Sequence, residues 1–139
     1  MIQPSRFIVV DDDPLNNKLC EIALRKIFPA IEIVLFSMPE MAIEYLDEQY
    51  SKQTTFIPTV LFLDINMPGM TGWDFLERFN NLGNNVKVQI SIFMLSSSVD
   101  QRDRDKAATY KSVSGYISKP ISKSELSQLF IEWQLAFSN

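Results

Sequence analysis

The sequence predicts a doubly wound α/β fold with five strands and five helices in one domain, residues 1–139, and two observations support this. Five short apolar runs are bounded by polar or turn residues, and three of them are almost continuously apolar. Strands buried on both faces, which belong mainly to parallel sheets, have this composition. Amphipathic segments lie between the runs. This alternation predicts a parallel sheet with right-handed crossovers and helices on both faces.

The first half of the chain contains three of the predicted strands and two of the predicted helices. Pro14 suits the first turn of the first helix, and Ser37 with Glu40 has the spacing of a capping box at the start of the second, with Pro39 inside it. The strands are Phe7–Val10, Ile31–Phe36 and Thr59–Leu63, and the apolar helix stripes are Leu15, Leu19, Ile22, Ala23 and Ile27, then Ala42, Ile43 and Leu46.

The second half contains the other two strands and three helices. Asp100 is predicted to cap a fourth helix that has few apolar residues, and Ser122 with Glu125 forms a capping box for the fifth. The strands are Gln89–Leu95 and Gly115–Ile117. The apolar stripe of the third helix is Trp73, Leu76 and Phe79, and that of the fifth is Leu126, Leu129, Phe130, Trp133 and Phe137. The predicted loops are Tyr50–Ile57 and Asn80–Asn85.

Composition excludes several classes of function. The chain has no histidine, so His-based catalysis, imidazole metal ligands and a His phosphoacceptor are absent from these residues. Its net charge is −4, and no Lys/Arg block marks a nucleic-acid binder. No apolar run approaches the roughly 20 residues of a membrane span. Because Met1–Arg6 lack a signal-peptide layout and Cys20 is the only cysteine, we expect a cytoplasmic protein.

Polar side chains follow four of the predicted strands at the point where each strand ends. Asp11, Asp12 and Asp13 follow the first, Asp64 the third, Ser96 the fourth and Lys119 the fifth. Ligands of an open parallel sheet bind beyond the carboxyl ends of its strands. Crowded carboxylates need protonation or a cation, and hard oxygen ligands select Mg²⁺ or a similar ion. Asp13, just before Pro14, is more simply a helix cap.

Five motifs in order give the chain a resemblance to the receiver domain of two-component response regulators over nearly its whole length. They are Val9–Asp13, Leu63–Gly69, Thr71-Gly72, Leu95–Ser98 and Gly115–Pro120. The resemblance implies a flavodoxin-like fold with strand order 2-1-3-4-5. Two departures from the commoner family pattern are Thr71, where Asp often precedes the glycine, and Ser97, which is often Ala.

The resemblance also implies a role for each site residue. Asp64 would be the phosphoacceptor. Asp12 and Asp64 would ligate Mg²⁺ by side chain, Asn66 by its backbone carbonyl and Asp11 through a water. Ser96 and Lys119 would each contact a phosphoryl oxygen, and the Lys119-Pro120 bond is expected to be cis. On phosphorylation Ser96 would move toward the phosphoryl group and Tyr116 would follow inward, which changes the face formed by the fourth helix, fifth strand and fifth helix.

The implied phosphodonor is a sensor histidine kinase or a His-phosphotransfer protein. Because no DNA-binding extension follows Asn139, output is expected through an unknown downstream protein or a phosphorylation-dependent homodimer, without direct contact to nucleic acid or membrane. On the last predicted helix, Ile131 and Leu135 point away from the apolar stripe and could mark a partner surface.

Other phosphate- or metal-binding classes fit the sequence less well. A hydrolase of the haloacid-dehalogenase type needs a second Asp two positions after the nucleophile, where this chain has Asn66. A calcium loop starting at Asp11 is interrupted by Leu15 and Asn16, and no Walker-type phosphate loop is present. The alternative that stays open is a receiver-like scaffold that acts without phosphorylation.

Overall fold

The computed structural model describes residues 4–52, 54–98 and 100–138, with side chains up to residue 133. It contains one parallel sheet in the order β2-β1-β3-β4-β5, which confirms the predicted flavodoxin-like class. The strands are β1 (Arg6–Val10), β2 (Glu32–Phe36), β3 (Thr59–Asp64), β4 (Ile90–Ser96) and β5 (Val113–Ser118); the helices are α1 (Pro14–Ile27), α2 (Pro39–Ser51), α3 (Gly72–Asn80), α4 (Asn84–Lys87), α5 (Gln101–Ala108) and α6 (Lys123–Ser138).

The sheet separates two apolar cores. Alternate residues of the central strand β3 enter opposite cores: Val60 and Phe62 pack with α1 and α6, whereas Leu61 and Leu63 pack with α2 and α3. All six residues of β3 are buried. A strand covered on both faces has no solvent side, so its sequence is continuously apolar until Asp64. None of the described helices is long and apolar enough to cross a membrane.

The described residues form six helices, one more than the sequence predicts. The additional helix, α4, is a single turn that overlaps the predicted loop Asn80–Asn85 and buries Val86. One turn is too short for apolar residues to repeat at helical spacing, so periodicity could not reveal it. The predicted loop Tyr50–Ile57 begins later than expected, since α2 continues to Ser51.

The prediction of which face α1 buries is wrong for three residues. Leu15, Leu19 and Ile22 are 64%, 51% and 45% exposed. The helix instead buries Asn17, Cys20 and Leu24, with the predicted Ala23 and Ile27 partly buried. The Asn17 amide donates to the backbone carbonyls of Asp11 and Phe36, at 2.9 and 3.2 Å. These bonds fix the rotation of α1 at the ends of β1 and β2.

The capping predictions have mixed outcomes. The N-cap of α2 is Met38, which makes no side-chain cap bond, so the predicted box of Ser37 and Glu40 does not form. The helix begins at Pro39, whose φ is fixed, so the N-cap is Met38 and not Ser37. Other caps are confirmed: the Arg102 amide donates to Asp100, and the Glu125 amide donates to Ser122 Oγ.

Candidate functional site

The ends of β1, β3 and β5 bring three of the predicted site residues into direct contact. Lys119 Nζ donates to Asp11 Oδ2 at 2.7 Å and to Asp64 Oδ1 at 3.1 Å. Carboxylate oxygens of Asp11, Asp12 and Asp64 lie within 4.8 Å of one another. Asp11 and Asp64 are buried, whereas Asp12 is half-buried. The result is a pocket with three carboxylates and one ammonium group at the carboxyl edge of the sheet.

The buried carboxylate of Asp11 is held from two directions. Its Oδ1 accepts the Asp13 amide at 2.9 Å, while its other oxygen accepts Lys119. Its backbone carbonyl accepts the buried Asn17 amide. The sequence analysis missed Asn17, although a signal existed: it lies three and seven residues before Cys20 and Leu24, so a polar residue shares a helix face with two core positions. Asn17 thus positions the first acidic residue of the pocket.

The surroundings of Asp64 disfavour the ionised form of its carboxyl group. Burial and the nearby charge of Asp11 raise its pKa to about 6, against the opposing effects of Lys119 and of the Asn66 amide, which donates to it. Burial also opposes the charge on Lys119, but the hydrogen bonds and charges of Asp11 and Asp64 outweigh this and raise the pKa of Lys119. Lys119 therefore stays protonated and neutralises the pocket only in part.

The position of Lys119 is fixed by its own backbone. Its amide donates to the Ser96 carbonyl at 2.9 Å, and the Lys119-Pro120 bond is cis, as the resemblance implies. Ser96 itself is fully buried, and its Oγ accepts the Ser98 amide at 3.0 Å. A hydroxyl that accepts one hydrogen bond can still donate another. The structure gives no contact between Ser96 Oγ and the three carboxylates.

Gly72 allows the start of α3 to lie against the backbone of Asp64. A Cβ at this position would stand 2.7 Å from the Asp64 carbonyl oxygen and 2.9 Å from Ile65 Cα. The Gly72 amide also donates to the Ile65 carbonyl at 2.8 Å. Thr71 and Asp74 complete a reciprocal capping box that the sequence analysis did not identify. Gly72 is therefore required by close packing of two backbones, which explains its place in the Thr71-Gly72 motif.

We expect Gly72→Ala to destabilise the fold by about 1–3 kcal/mol, because the added methyl group forces the Asp64 backbone to move. Urea unfolding measures the change. Gly83→Ala is the matched control, since its Cβ would meet only the end of the Asn85 side chain. Equal stability of the two variants would contradict the close approach at Gly72.

The donor set of the pocket fits Mg²⁺. Its three side chains are all carboxylates, and hard oxygen donors are those that this ion prefers. Burial and the charge of Asp11 both disfavour the ionised form of Asp64 and raise its pKa to about 6. A bound cation would favour the ionised carboxylate.

A cavity of about 280 Å³ opens beside the acidic pocket. Asp11 and Lys119 line it, as do Leu19 and Ile22 of α1. The Cys20 thiol also borders it, but burial raises the pKa of this thiol to about 12, so it stays protonated and is a poor nucleophile. Two of the exposed apolar residues of α1, Leu19 and Ile22, therefore share a cavity with Asp11 and Lys119.

Two further predicted residues lie away from the acidic pocket. Tyr116, on β5, is partly buried, and its hydroxyl oxygen is buried without a hydrogen-bond partner in the part of the chain that the structure describes. Ile131, on α6, is 54% exposed, so it points away from the apolar stripe as predicted, while its role as a partner surface stays a prediction. The side chain of Leu135 lies outside the described residues, as does that of Phe137.

Comparison with solved structures shows close similarity over nearly the whole chain. A response regulator receiver protein from Dyadobacter fermentans is 29% identical with a TM-score of 0.81, covering 92% of this chain and 96% of its own. A two-component response regulator from Cytophaga hutchinsonii is 28% identical with a TM-score of 0.83, covering 94% and 97%. The receiver domain of a Pseudomonas aeruginosa sensor histidine kinase, with magnesium in its active site cleft, shares the fold at 19% identity, with a TM-score of 0.71 and coverage of 94% and 98%.

Sequence comparison gives the same result. A two-component response regulator of Oryza sativa subsp. japonica is 27% identical over 130 residues, which are 93% of this chain and 19% of that protein. This chain thus spans about a fifth of the length of that relative. Residues 7–131 match the family described as response regulator receiver domain. That match covers most of the chain and includes the strand ends that carry Asp11, Asp64, Ser96 and Lys119, so the chain belongs to the response regulator receiver domain family.

Proposed function

We propose that this chain is a signalling phosphoacceptor: it takes a phosphoryl group from a phosphohistidine onto Asp64 in a Mg²⁺-dependent reaction. The observation that carries the proposal is the contact of Lys119 with both Asp11 and Asp64 beside a third carboxylate, Asp12. A carboxylate held at the open edge of a sheet, with a fixed ammonium group beside it, suits in-line attack on a phosphoryl group. A cytoplasmic location is part of this proposal.

The chemical step transfers one phosphoryl group between two proteins. A carboxylate oxygen of Asp64 attacks phosphorus, the P–N bond of the phosphohistidine breaks, and the imidazole nitrogen leaves with the electron pair and then takes up a proton. The chain contains no histidine, so the donor histidine lies outside these residues. A sensor histidine kinase or a His-phosphotransfer protein would supply it.

The residues of the pocket would stabilise the charge on the transferring group. Lys119 would pair with one phosphoryl oxygen, and the Ser96 hydroxyl would donate to another. Asp12 and Asp64 would hold Mg²⁺ by their side chains, Asn66 by its carbonyl and Asp11 through an intervening water. The bound ion would neutralise charge on the phosphoryl oxygens. The protein contributes mainly positioning and electrostatic stabilisation.

Exposed residues of α1 favour a protein as the phosphodonor. Leu15, Leu19 and Ile22 are spaced at i, i+4 and i+7, so they form one apolar stripe. Two of them line the cavity that opens toward Lys119. A partner that covered this stripe would bring its phosphohistidine close to Asp64 while it buries apolar surface.

We expect the double substitution Leu19→Ser and Ile22→Ser to slow phosphotransfer from phosphorylated His-phosphotransfer proteins by about tenfold or more, as loss of an apolar anchor does. Phosphorylation by acetyl phosphate should not change, because this small donor needs no docking surface. The control is Val88→Ser. The Val88 side chain is also exposed, at 64%, but Val88 lies just before β4, at the edge of the sheet opposite the acidic pocket. Equal losses with both donors would contradict the assignment of this surface.

Output would use the face formed by α5, β5 and α6. Ser96 and Tyr116 would transmit phosphorylation to this face, and the exposed Ile131 would contribute to a surface for a downstream protein or a second copy of the chain. To move the protein decisively from one conformation to the other, the phosphoryl group would have to interact more favourably with the second conformation by about 5.5 kcal/mol. The phosphoryl group would add nearly two negative charges at the strand ends, where it would contact Ser96 directly.

Intact mass measured after incubation with Mg²⁺ and acetyl phosphate tests the proposal. We expect the gain of one phosphoryl group with Mg²⁺ and none with EDTA. Binding of beryllofluoride, followed by Trp73 fluorescence, is a second readout. A chain that is inert to acetyl phosphate, to beryllofluoride and to a panel of phosphorylated sensor kinases would instead support the alternative of a scaffold that acts without phosphorylation.

A further inference from the structure

Helix α5 lacks the apolar stripe that usually holds a surface helix on a sheet. The structure describes all eight of its residues, and Ala107 is the single one that is buried. Five of the remaining residues are charged: Arg102, Asp103, Arg104, Asp105 and Lys106. Apolar packing is therefore a weak restraint on α5, and other contacts must fix its position.

One such contact joins α5 to the edge strand β5. The guanidinium of Arg104 lies 4.5 Å from the centroid of the Tyr116 ring. Its Nη2 also donates to Ser118 Oγ at 3.0 Å. Since Tyr116 and Ser118 lie two residues apart on β5, both side chains point to the same side of the strand. Arg104 covers the ring and spans both positions.

A second contact joins the other side of α5 to α3. Lys106 Nζ lies 4.6 Å from the centroid of the Trp73 ring. Tyr110, just beyond α5, stacks on Trp73 with 5.9 Å between ring centroids and an interplanar angle of 18°. The Tyr110 hydroxyl donates to Glu77 Oε1 at 3.2 Å. Cation–π contacts thus attach α5 to β5 at one side and to α3 at the other.

We propose that these two cation–π contacts form a clasp that sets the position of α5, and that Arg104 is a positioning residue for Tyr116. The buried hydroxyl of Tyr116 has no hydrogen-bond partner among the described residues, and an unpaired buried hydroxyl disfavours the inward ring. Arg104 acts in the opposite direction, because it closes over the ring from the solvent side. The clasp therefore favours the inward arrangement of Tyr116.

The regulatory consequence rests on the proposed function, in which phosphorylation also favours the inward tyrosine. Two influences that stabilise the same conformation strengthen each other. Loss of the Arg104 contact should therefore weaken binding of a phosphoryl mimic. A cation–π contact at an exposed site corresponds to a change of about two- to fivefold in an equilibrium constant.

The first experiment measures amide hydrogen exchange of residues 101–108 in the metal-free chain of residues 1–139. We expect Arg104→Gln to speed exchange in α5 about two- to fivefold, Arg104→Lys to restore part of the protection, and Lys106→Gln to act in the same direction as Arg104→Gln. In a Tyr116→Leu background Arg104→Gln should have little further effect, whereas in Tyr116→Phe, which keeps the ring, it should keep its effect. Additive effects of Arg104→Gln and Tyr116→Leu would overturn the clasp, since Arg104 would then act through other groups, such as its hydrogen-bond partner Ser118 or the groove residues Glu125 and Glu132.

The second experiment measures the affinity for beryllofluoride with Mg²⁺ by isothermal titration calorimetry. We expect a loss of about two- to fivefold in Arg104→Gln, with partial recovery in Arg104→Lys. Unchanged affinity, together with faster exchange in α5, would overturn the link between Arg104 and the switch. A native chain that binds no beryllofluoride would overturn the proposed function, and with it the regulatory role, while the exchange result would still decide whether the clasp exists.

Discussion

Replacement of Asp64 by asparagine is expected to abolish phosphoryl acceptance and, at the same time, to make the metal-free protein more stable at pH 7. The amide offers no anionic oxygen for attack on phosphorus, so intact mass should show no phosphoryl gain. The gain in stability has a different origin. The neutral amide would no longer repel Asp11, and Lys119 would keep its 2.7 Å ion pair with Asp11. We expect the free energy of unfolding to rise by about 1–3 kcal/mol.

The pH dependence of this gain follows from the raised pKa of Asp64. The group titrates near pH 6 when folded and near 3.8 in its ordinary state. Its protonated form therefore favours folding below about pH 4, and this contribution is lost as the pH rises through about 6. The stabilities of the native chain and of Asp64→Asn should be similar at pH 4, diverge between pH 4 and pH 6, and differ by a constant amount above pH 6. Urea unfolding in EDTA measures the difference.

Parallel stability profiles from pH 4 to pH 8 would contradict the assignment of the charge conflict to Asp64. Asp74→Asn is the matched control, because this exposed carboxylate lies outside the pocket and serves the cap of α3. Its substitution should lower stability by only about 0.3–1 kcal/mol, because the asparagine amide oxygen can still accept the Thr71 amide whereas the negative charge at the start of α3 is lost. The opposite signs of the two Asp→Asn changes distinguish a functional carboxylate from a structural one.

Replacement of Lys119 by glutamine should have the largest destabilising effect in the pocket. The ammonium contacts two buried carboxylates, Asp11 and Asp64, and its loss leaves both without a counter-charge. Removing one partner of a buried ion pair is strongly unfavourable, and for this pocket at the protein surface we expect a loss of about 2–4 kcal/mol at pH 7. Phosphorylation by acetyl phosphate should slow by about 10²–10³-fold, as after loss of one transition-state donor.

Three measurements separate this electrostatic effect from a packing defect. Since Lys119 lowers the pKa of Asp64, the Lys119→Gln variant should regain stability as the pH falls, and this recovery should begin at a higher pH than in the native chain. Added Mg²⁺ should restore part of the stability at pH 7, because a bound cation replaces the missing charge. The double variant Lys119→Gln, Asp64→Asn should be more stable than the sum of the two single stability changes predicts. Lys123→Gln, at the rim of the same cavity, is the control and should change none of these quantities; an equal loss there would refute the role of Lys119.

Much of the site was predictable from sequence because its residues are tied to strand ends. The apolar runs locate the strands, and in a parallel sheet their carboxyl ends meet at one edge. Asp11, Asp64 and Lys119 could therefore be placed together from the strand ends alone, although 108 residues separate the first from the last. The spacing of Asp100 and Ser122 from their helices likewise indicated two caps that form, since capping is a local interaction.

The orientation of elements is different, because it depends on what packs against each face. The spacing of Leu15, Leu19 and Ile22 predicted a buried stripe, yet α1 turns Asn17 inward and leaves these residues exposed. Likewise, the spacing of Ser37 and Glu40 predicted a cap at Ser37, whereas the helix begins at Pro39. Periodicity shows that a helix is amphipathic. It does not show whether a partner protein or the protein's own core contacts the apolar side.

The sequence by itself determined the acidic pocket and the lysine that faces it, because both depend on local signals at the ends of buried strands, and its resemblance to the receiver family implied the strand order. Only the tertiary structure decided the rotation of α1, the close approach at Gly72 and the two cation–π contacts of α5. These features depend on distances between residues far apart in the chain, and such distances are set by how whole helices pack on the sheet.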